Sequence, residues 1–286
     1  MSCWKEIARQ GLRGALETRR RAEVPKTDPV CIYDMAERLE VEIKFCGGNS
    51  FGGMYAKASR TILVPALRPA GRRALTCGHE LCHWYYGHGQ HIDSLDDIQS
   101  GHEGTPQERL ANIYSGYLLM PPWAVAEAFS KRGLKPETVS PLELYSIACQ
   151  FGVGYETIVQ HLRWCLEMID HCRADELLSS SPKQLRESLI GANRTRHLLI
   201  VDQHWTRVPV DLQVGEMAIL PGDVRLEGPA VREVERHKRG SLVEAVVPGI
   251  ARTETMDGVW SAFIRVSRKD FVGRSIYRHL EDPDAN

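Results

Sequence analysis

The sequence predicts an α+β protein with a helical part that carries a small sheet and a separate β-rich part. Apolar residues recur at helical spacing through most of the chain up to about residue 190, and one group of strand-like runs interrupts them after residue 41. From about residue 196, short β-type runs follow one another, with Pro-Gly and Asp-Gly turns between them. We therefore expect a second, β-rich domain in the last third of the chain.

The first part of the chain is predicted to form three helices and a small sheet with a hairpin. Its helices are expected over residues 4–23, 29–40 and 72–86, and its strands over residues 41–45, 53–56 and 61–64. The run Arg19-Arg20-Arg21 is expected to lie on a solvated helix face. The third helix carries two stripes, so one stripe can pack on the sheet while the other faces a metal.

A helical segment without strands is expected to follow. Residues 87–104 are predicted to form a surface loop, and further helices are expected over residues 106–119, 122–131 and 183–190. Residues 140–162 have the pattern helix, glycine-bearing turn, helix, which resembles a helix-turn-helix. The candidate recognition helix offers only His161 and Arg163 as positive charges, so packing is favoured over the reading of DNA bases.

The chain is expected to divide into three units. These are residues 1–133, residues 134–192 with the helix-turn-helix-like segment and a linker, and residues 193–286. The last unit is predicted to be a β-sandwich or a small α+β sensor domain with a regulatory role.

The composition excludes several functional classes. The chain has 36 Lys and Arg residues against 37 Asp and Glu residues, so its overall charge gives no reason to expect binding to nucleic acid or a membrane. No apolar run is long enough to cross a bilayer, and the N-terminal residues lack a signal-peptide core, so we expect a cytoplasmic protein. Its eight cysteines are scattered without Cys-x-x-Cys pairs, unlike a disulfide framework.

Residues 79–83 form the motif with the most chemical content, His79-Glu-Leu-Cys-His83. On a helix, His79 and His83 lie one turn apart on a single face, so both imidazoles can reach one zinc ion. Glu80 then stands beside the ion, where it can act as the general base of an amide hydrolase. H-E-x-x-H also arises by chance, so the surrounding residues must decide.

A catalytic zinc ion needs a third protein ligand. The extended form H-E-x-x-H-x-x-G-x-x-H fails, and His88 ranks below Glu108, a residue of the next predicted helix. Asn112 lies one turn after Glu108 and can support a ligand histidine. A competing interpretation exists, because Thr105-Pro-Gln-Glu108 is also a capping box in which Glu108 would bond the helix start.

Three motifs in order resemble the ImmA/IrrE family of bacterial and phage metallopeptidases. They are His79-Glu-Leu-Cys-His83, Glu108-Arg-Leu-Ala-Asn112 and Leu118-Leu-Met-Pro121, and the likeness extends over roughly residues 30–163. The resemblance implies a zincin-like fold for the first unit, a Zn²⁺ cofactor held by His79, His83 and Glu108, and Glu80 as the catalytic base. Asn112 would support a ligand.

The resemblance also implies a function. Members of this family cleave a partner repressor that carries a helix-turn-helix, which induces genes of a DNA-damage or antiphage response. Relatives in antiphage operons are linked to single-stranded DNA as activator, which would be a second partner here. A different hypothesis is a direct DNA-binding transcription regulator with a structural zinc site. Glu80 argues against it, because a structural site needs no general base.

Further residues are candidates for roles around the zinc. Tyr114 and His88 are possible oxyanion stabilisers, and the strand edge from Gly52 to Ala56 could hold the substrate as an added strand. Cys46 could swing onto the zinc as an inhibitory ligand. Cys82 replaces the glycine usual in the family and is expected to be buried.

Overall fold

A computed structural model describes residues 2–48, 51–88, 92–94, 105–192, 194 and 197–280. The helices are α1 Ser2–Arg21, α2 Ile32–Arg38, α3 Ala70–Tyr86, α4 Pro106–Leu119, α5 Pro122–Lys131, α6 Pro141–Gln150, α7 Tyr155–Trp164, α8 His171–Leu178 and α9 Pro182–Ile190. The strands of the first part are β1 Glu42–Cys46, β2 Phe51–Ala56, β3 Thr61–Pro65 and β4 Ile92–Ser94. Those of the last part are β5 Leu198–Ile200, β6 Val210–Gln213, β7 Met217–Pro221, β8 Val224–Glu227, β9 Val231–His237, β10 Gly240–Ala245, β11 Gly249–Thr255, β12 Ser261–Ser267 and β13 Gly273–Arg274. The predicted α+β class is confirmed.

The first sheet has the strand order β13-β1-β3-β2-β4. β1 runs parallel to β3, and β2 pairs antiparallel with both β3 and β4. Buried apolar residues such as Ile43, Ile62 and Val64 come from this sheet and join the hydrophobic core with α3 residues such as Leu81. The sheet thus fixes one side of the helix that carries the H-E-x-x-H motif.

One expectation about this sheet is wrong. β2 is not a free edge from Gly52 to Ala56, because β4 pairs with it at Phe51↔Ser94 and Met54↔Ile92. β4 itself lies inside residues 87–104, where the sequence predicts a loop; the rest of that prediction, beyond His88, lies outside the described residues. Three residues of β4 are too few to produce a detectable alternating pattern.

Helix α1 packs along α4, and this contact explains a second wrong expectation. Arg19 is only 1% exposed instead of solvated. Its guanidinium donates to the carbonyl oxygen of Leu118 at 2.7 Å and to those of Pro25 and Asp28. Arg20 and Arg21 stay at the surface, where both pair with Glu17. A buried cation that bonds three carbonyls joins the end of α1 to α4.

The helix-turn-helix-like segment comprises α6, a turn over residues 151–154, and α7. The capping box of α6 is complete, since Ser140 accepts from the Glu143 amide and Glu143 accepts from the Ser140 amide. His161, a predicted cation of the recognition helix, is buried, and its Nε2 lies 2.9 Å from the Met120 carbonyl oxygen. Burial lowers the pKa of His161 to about 4, so the ring is neutral at pH 7.

The last part of the chain forms two four-stranded sheets, β5-β7-β10-β9 and β6-β12-β11-β8. Between residues 197 and 280, the only helical element is a 3₁₀ turn, Ser275–Tyr277, so of the two predicted architectures the all-β one agrees with the structure. The end of the chain returns to the first sheet, where β13 pairs antiparallel with β1 through Lys44↔Arg274 and Phe45↔Gly273.

Among the described residues, no helix is both long and apolar enough to cross a membrane.

Candidate metal centre

The H-E-x-x-H motif lies in the second half of α3, a helix that ends at Gly87 in the left-handed conformation with φ of 66°. Gly78 faces α4 so closely that a Cβ there would lie 3.0 Å from the Ser115 Cβ. The small residue therefore lets α3 and α4 approach, which brings the Glu108 side chain of α4 to the two histidines of α3.

His79, His83 and Glu108 are the one group of potential metal ligands found among the described residues, with ligand atoms that all lie within 4.8 Å of one another. The Nε2 atom of His79 lies 3.1 Å from the Nε2 atom of His83 and 2.9 Å from Oε2 of Glu108. The Nε2 atom of His83 lies 3.6 Å from Oε1 of Glu108. Donors around one tetrahedral zinc ion are separated by about 3.3 Å, so the donor set and its spacing fit such an ion.

The remaining ring nitrogens of both histidines have partners that fix the orientation of the rings. His79 Nδ1 lies 3.0 Å from Oδ1 of Asn112, so Nδ1 carries the proton and Nε2 keeps its lone pair for a metal. His83 Nδ1 lies 3.0 Å from Nδ1 of His88. Burial lowers the pKa of His88, although Glu108 acts in the opposite direction, so His88 is a neutral acceptor for His83 at pH 7.

Glu80 follows His79 on α3 and is buried, with 2% of its surface exposed. Its carboxylate lies against strand β2 at Gly53, where a Cβ atom would be 2.8 Å from Oε1 of Glu80 and 2.5 Å from Cγ2 of Thr76. Gly53 therefore leaves the space that the carboxylate occupies. The sequence analysis placed this glycine on a strand edge for the substrate and predicted no contact with Glu80, because the packing of β2 on α3 is a tertiary contact.

The two interpretations of Glu108 differ in where its carboxylate lies: at the helix start in a capping box, or at the two histidines in a metal site. The backbone N–H of Glu108 donates to Oγ1 of Thr105 at 3.3 Å, so Thr105 caps α4. The Glu108 carboxylate lies at the histidines and does not bond the helix start. Only the half of the capping box that uses the backbone N–H of Glu108 is formed.

Several other candidates lie elsewhere. Tyr114 is fully buried between α1 and α4, where its hydroxyl lies 2.5 Å from Oγ1 of Thr18, so it cannot stabilise an oxyanion at the metal. His88 lies against His83 through the contact between their Nδ1 atoms. Cys46 ends β1, two strands away from β2, and is not part of the ligand group, so the structure does not support an inhibitory contact.

Cys82 is fully buried on α3. Burial, and then the charges of Glu108 and Glu80, raise the pKa of its thiol far above the usual range. The thiol is therefore neutral and poorly reactive, as expected for a packing residue.

Two histidines and a glutamate on facing helices are the kind of donor set that zinc metallopeptidases use, and a buried glutamate follows the first histidine in the motif. Residues 36–163 match the peptidase M78 family, described as an IrrE N-terminal-like domain. The resemblance to ImmA/IrrE proteins is thereby confirmed.

A solved structure described as a Mycobacterium tuberculosis transcriptional regulator is similar at 16% identity and a TM-score of 0.36. The match covers 56% of this chain, which spans about half (51%) of that structure's length. No curated protein matches the chain.

Proposed function

We propose that the protein is a zinc-dependent endopeptidase that cleaves a partner transcriptional repressor. The observation that carries this proposal is the convergence of His79, His83 and Glu108 within 4.8 Å of one another, with Glu80 buried on the same helix. A zinc ion, when bound, supplies Lewis-acid chemistry that polarises a peptide carbonyl and acidifies water.

The chain's own residues provide the remaining functions. Asn112 and His88 hold the imidazoles of His79 and His83 through their Nδ1 atoms, so that both Nε2 atoms point to one place. The Glu80 carboxylate takes up a proton from the attacking water and delivers it to the leaving amine. Its burial against Gly53 holds it in one position for both transfers.

The substrate class rests on the family. We propose a repressor with a helix-turn-helix as the substrate, a DNA-damage or antiphage response as the outcome, and single-stranded DNA as a further partner that activates cleavage. Backbone recognition at the sheet edge would then use β4, since β2 is already paired on both sides.

The alternative of a direct DNA-binding regulator receives less support from α7. His161 faces the interior, and the guanidinium of Arg163 lies 4.3 Å from the Trp164 ring centroid and 3.9 Å from the Asp175 carboxylate. The helix therefore presents little positive charge for contacts with phosphates or bases.

The proposal is tested with the full chain and a repressor encoded beside it, with and without single-stranded DNA. Glu80→Gln should retain zinc and lose cleavage by at least about 100-fold, because only the proton acceptor is removed. His79→Ala should lose both zinc and cleavage. Zinc content and the rate of repressor cleavage are measured, with the exposed Glu37→Gln as control. Undiminished cleavage by both site variants would refute the peptidase.

A further inference from the structure

A cavity of about 470 Å³ lies where the three parts of the chain meet, away from the metal ligands. Its walls come from β1 and α3, from the turn between α6 and α7, and from the β-rich part. Large apolar and aromatic side chains form most of the lining, including Phe45, Leu75, Phe151, Leu199, Trp205 and Phe271. Such a volume suits a small organic molecule with a flat apolar body.

Arg73, in the first turn of α3, brings a positive charge to this cavity, and no carboxylate is in hydrogen-bond contact with its guanidinium among the described residues. The residue is 8% exposed, and its buried Nε atom has no hydrogen-bond partner. In the described part of the chain, its guanidinium is found in a cation–π contact, 5.5 Å from the centroid of the Phe45 ring, and in no hydrogen bond or ion pair. A buried guanidinium without an anion is costly, so a position like this one points to a missing partner.

Two helix N-termini open into the same cavity. The first turns of α3 and α7 both line it, and neither helix has a side-chain N-cap. The two starts touch, because a Cβ on Gly71 would lie 2.7 Å from the backbone nitrogen of Gly154. The positive ends of two helix dipoles therefore add to the charge of Arg73 at one place.

Acidic groups around the cavity are already engaged by other partners. The Asp211 carboxylate lies 2.6 Å from Arg265, and Arg278 lies 2.9 Å from Asp34. The Glu216 carboxylate accepts from the backbone N–H of Gln213 at 2.8 Å; burial alone would raise its pKa, but His197 and, more weakly, the charge of Arg73 help to lower it. Glu156 is exposed at the start of α7.

The remaining ionisable groups on the cavity wall leave it positive. His197 lies 3.4 Å from the Glu216 carboxylate, whereas Arg72 and Arg186 add positive charge. Burial, and then the charge of Arg68, lower the pKa of Arg72.

The approach to the cavity is positive as well. A neighbouring groove shares Pro69, Arg73 and Arg186 with it and adds Arg68 and Lys183. Cations along the entrance favour the arrival of an anion.

From these observations we infer that the junction cavity binds a small organic oxyanion, a carboxylate or a phosphate carried on a flat apolar group. Arg73 and the N-termini of α3 and α7 hold the anion, and the aromatic walls hold the apolar body. This site goes beyond the proposed peptidase activity and does not depend on it.

The test uses the full chain without added substrate and three probes of the same shape. Naphthalene-2-carboxylate and 2-naphthyl phosphate carry the anion, and naphthalene-2-carboxamide is the neutral counterpart. Calorimetry should show that at least one anion binds about 10- to 100-fold more tightly than the amide, the range expected for charge-assisted hydrogen bonds. The preferred anion identifies the natural head group. Equal binding of all three probes, or no binding of either anion at about 1 mM, overturns the inference.

Variants of Arg73 tie the binding to this cavity. Arg73→Gln should abolish the preference for the anion, whereas Arg73→Lys should retain part of it, and the exposed Arg9→Gln should change nothing. Because no carboxylate is in hydrogen-bond contact with Arg73, Arg73→Gln should unfold at nearly the same temperature as the wild type in the absence of probe. An unchanged anion preference in Arg73→Gln, or a large loss of its thermal stability, would contradict an anion site built around this residue.

Discussion

At the scale of single residues, the candidate site depends on small side chains as much as on the ligands. Gly78 lets α4 approach α3, and Gly53 leaves room for the Glu80 carboxylate. The ligand types follow from the motif spacing, but the position of each ligand follows from these close contacts. Substitutions at these two glycines therefore test how the site residues are positioned without changing the site residues themselves.

Gly53→Ala should reduce cleavage while leaving zinc affinity nearly unchanged. The added methyl group would lie 2.8 Å from Oε1 of Glu80 and 2.5 Å from Cγ2 of Thr76, so Glu80 must move. We also expect a loss of about 1 to 3 kcal/mol in the free energy of unfolding, typical of overpacking. Repressor cleavage, zinc affinity and urea unfolding are measured together.

The matched control is Gly47→Ala, whose Cβ would have its nearest contact, Val272, at 3.9 Å. Adding Thr76→Ser to Gly53→Ala removes the methyl contact and should restore stability without restoring cleavage. Recovery of both properties in the double variant would show that Glu80 is not what the alanine displaces.

His88→Ala should weaken zinc binding by about 10- to 100-fold, the usual effect of removing a hydrogen-bond partner of a ligand histidine. The reason is the 3.0 Å contact between the Nδ1 atoms of His88 and His83, which orients the His83 ring. Competition with a chelator measures the affinity, and the exposed His171→Ala serves as control. Equal zinc affinities in both variants would remove His88 from the site.

At the scale of elements, the sequence predicted the elements with long periodic patterns and missed what depends on distant contacts. Helices α3 and α4 were predicted within two residues of their ends, since Gly87 and Pro121 mark boundaries locally. The strand β4 and the burial of Arg19 were missed, because each is stabilised by a partner far away in the chain. The two histidines were predicted from the motif spacing and Glu108 from the family resemblance, whereas the contact of His88 with His83 was not predicted.

Helix α7 makes a pH-dependent contribution to stability through His161. Burial lowers its folded pKa to about 4, below the usual 6.5, despite the bond to the Met120 carbonyl. The neutral ring makes its full contribution to the free energy of unfolding above the unfolded pKa of about 6.5. About 3 kcal/mol of that free energy is lost as the pH falls from about 6.5 towards 4.

Urea unfolding of metal-free protein between pH 4 and pH 8 tests this contribution. The stability of His161→Gln, whose amide can still donate to the Met120 carbonyl, should fall less steeply on acidification than that of the wild type. Parallel pH profiles for the two proteins would place the ring in a solvated or charged state and contradict its burial.

At the scale of the whole molecule, the β-rich part is joined to the metallopeptidase domain by more than a linker. β13 extends the first sheet beside β1, and Arg132 pairs with Asp202 across the helical segment at 2.7 Å. Arg265 and Arg278 both reach Asp34 of α2, at 2.8 Å and 2.9 Å. The anion cavity lies within this junction, and its Arg73 stands on the same helix as the metal ligands.

Asp34→Asn should therefore uncouple the β-rich part from the first domain. Burial alone would raise the pKa of Asp34, but Arg265 and Arg278 lower it by more, so the charged form stabilises the fold. This contribution, about 2 kcal/mol for a half-buried pair, is present above the unfolded pKa of about 3.9 and is lost as the pH falls below it.

Urea unfolding at pH 7 should show a lower midpoint and a shallower transition for Asp34→Asn, because the two parts then unfold less cooperatively. Asp175→Asn, a change at an exposed carboxylate, should leave both quantities unchanged, and the wild type and Asp34→Asn should converge near pH 3. A single steep transition with an unchanged midpoint in Asp34→Asn would mean that β13 and the apolar junction, and not the ion pairs, hold the two parts together.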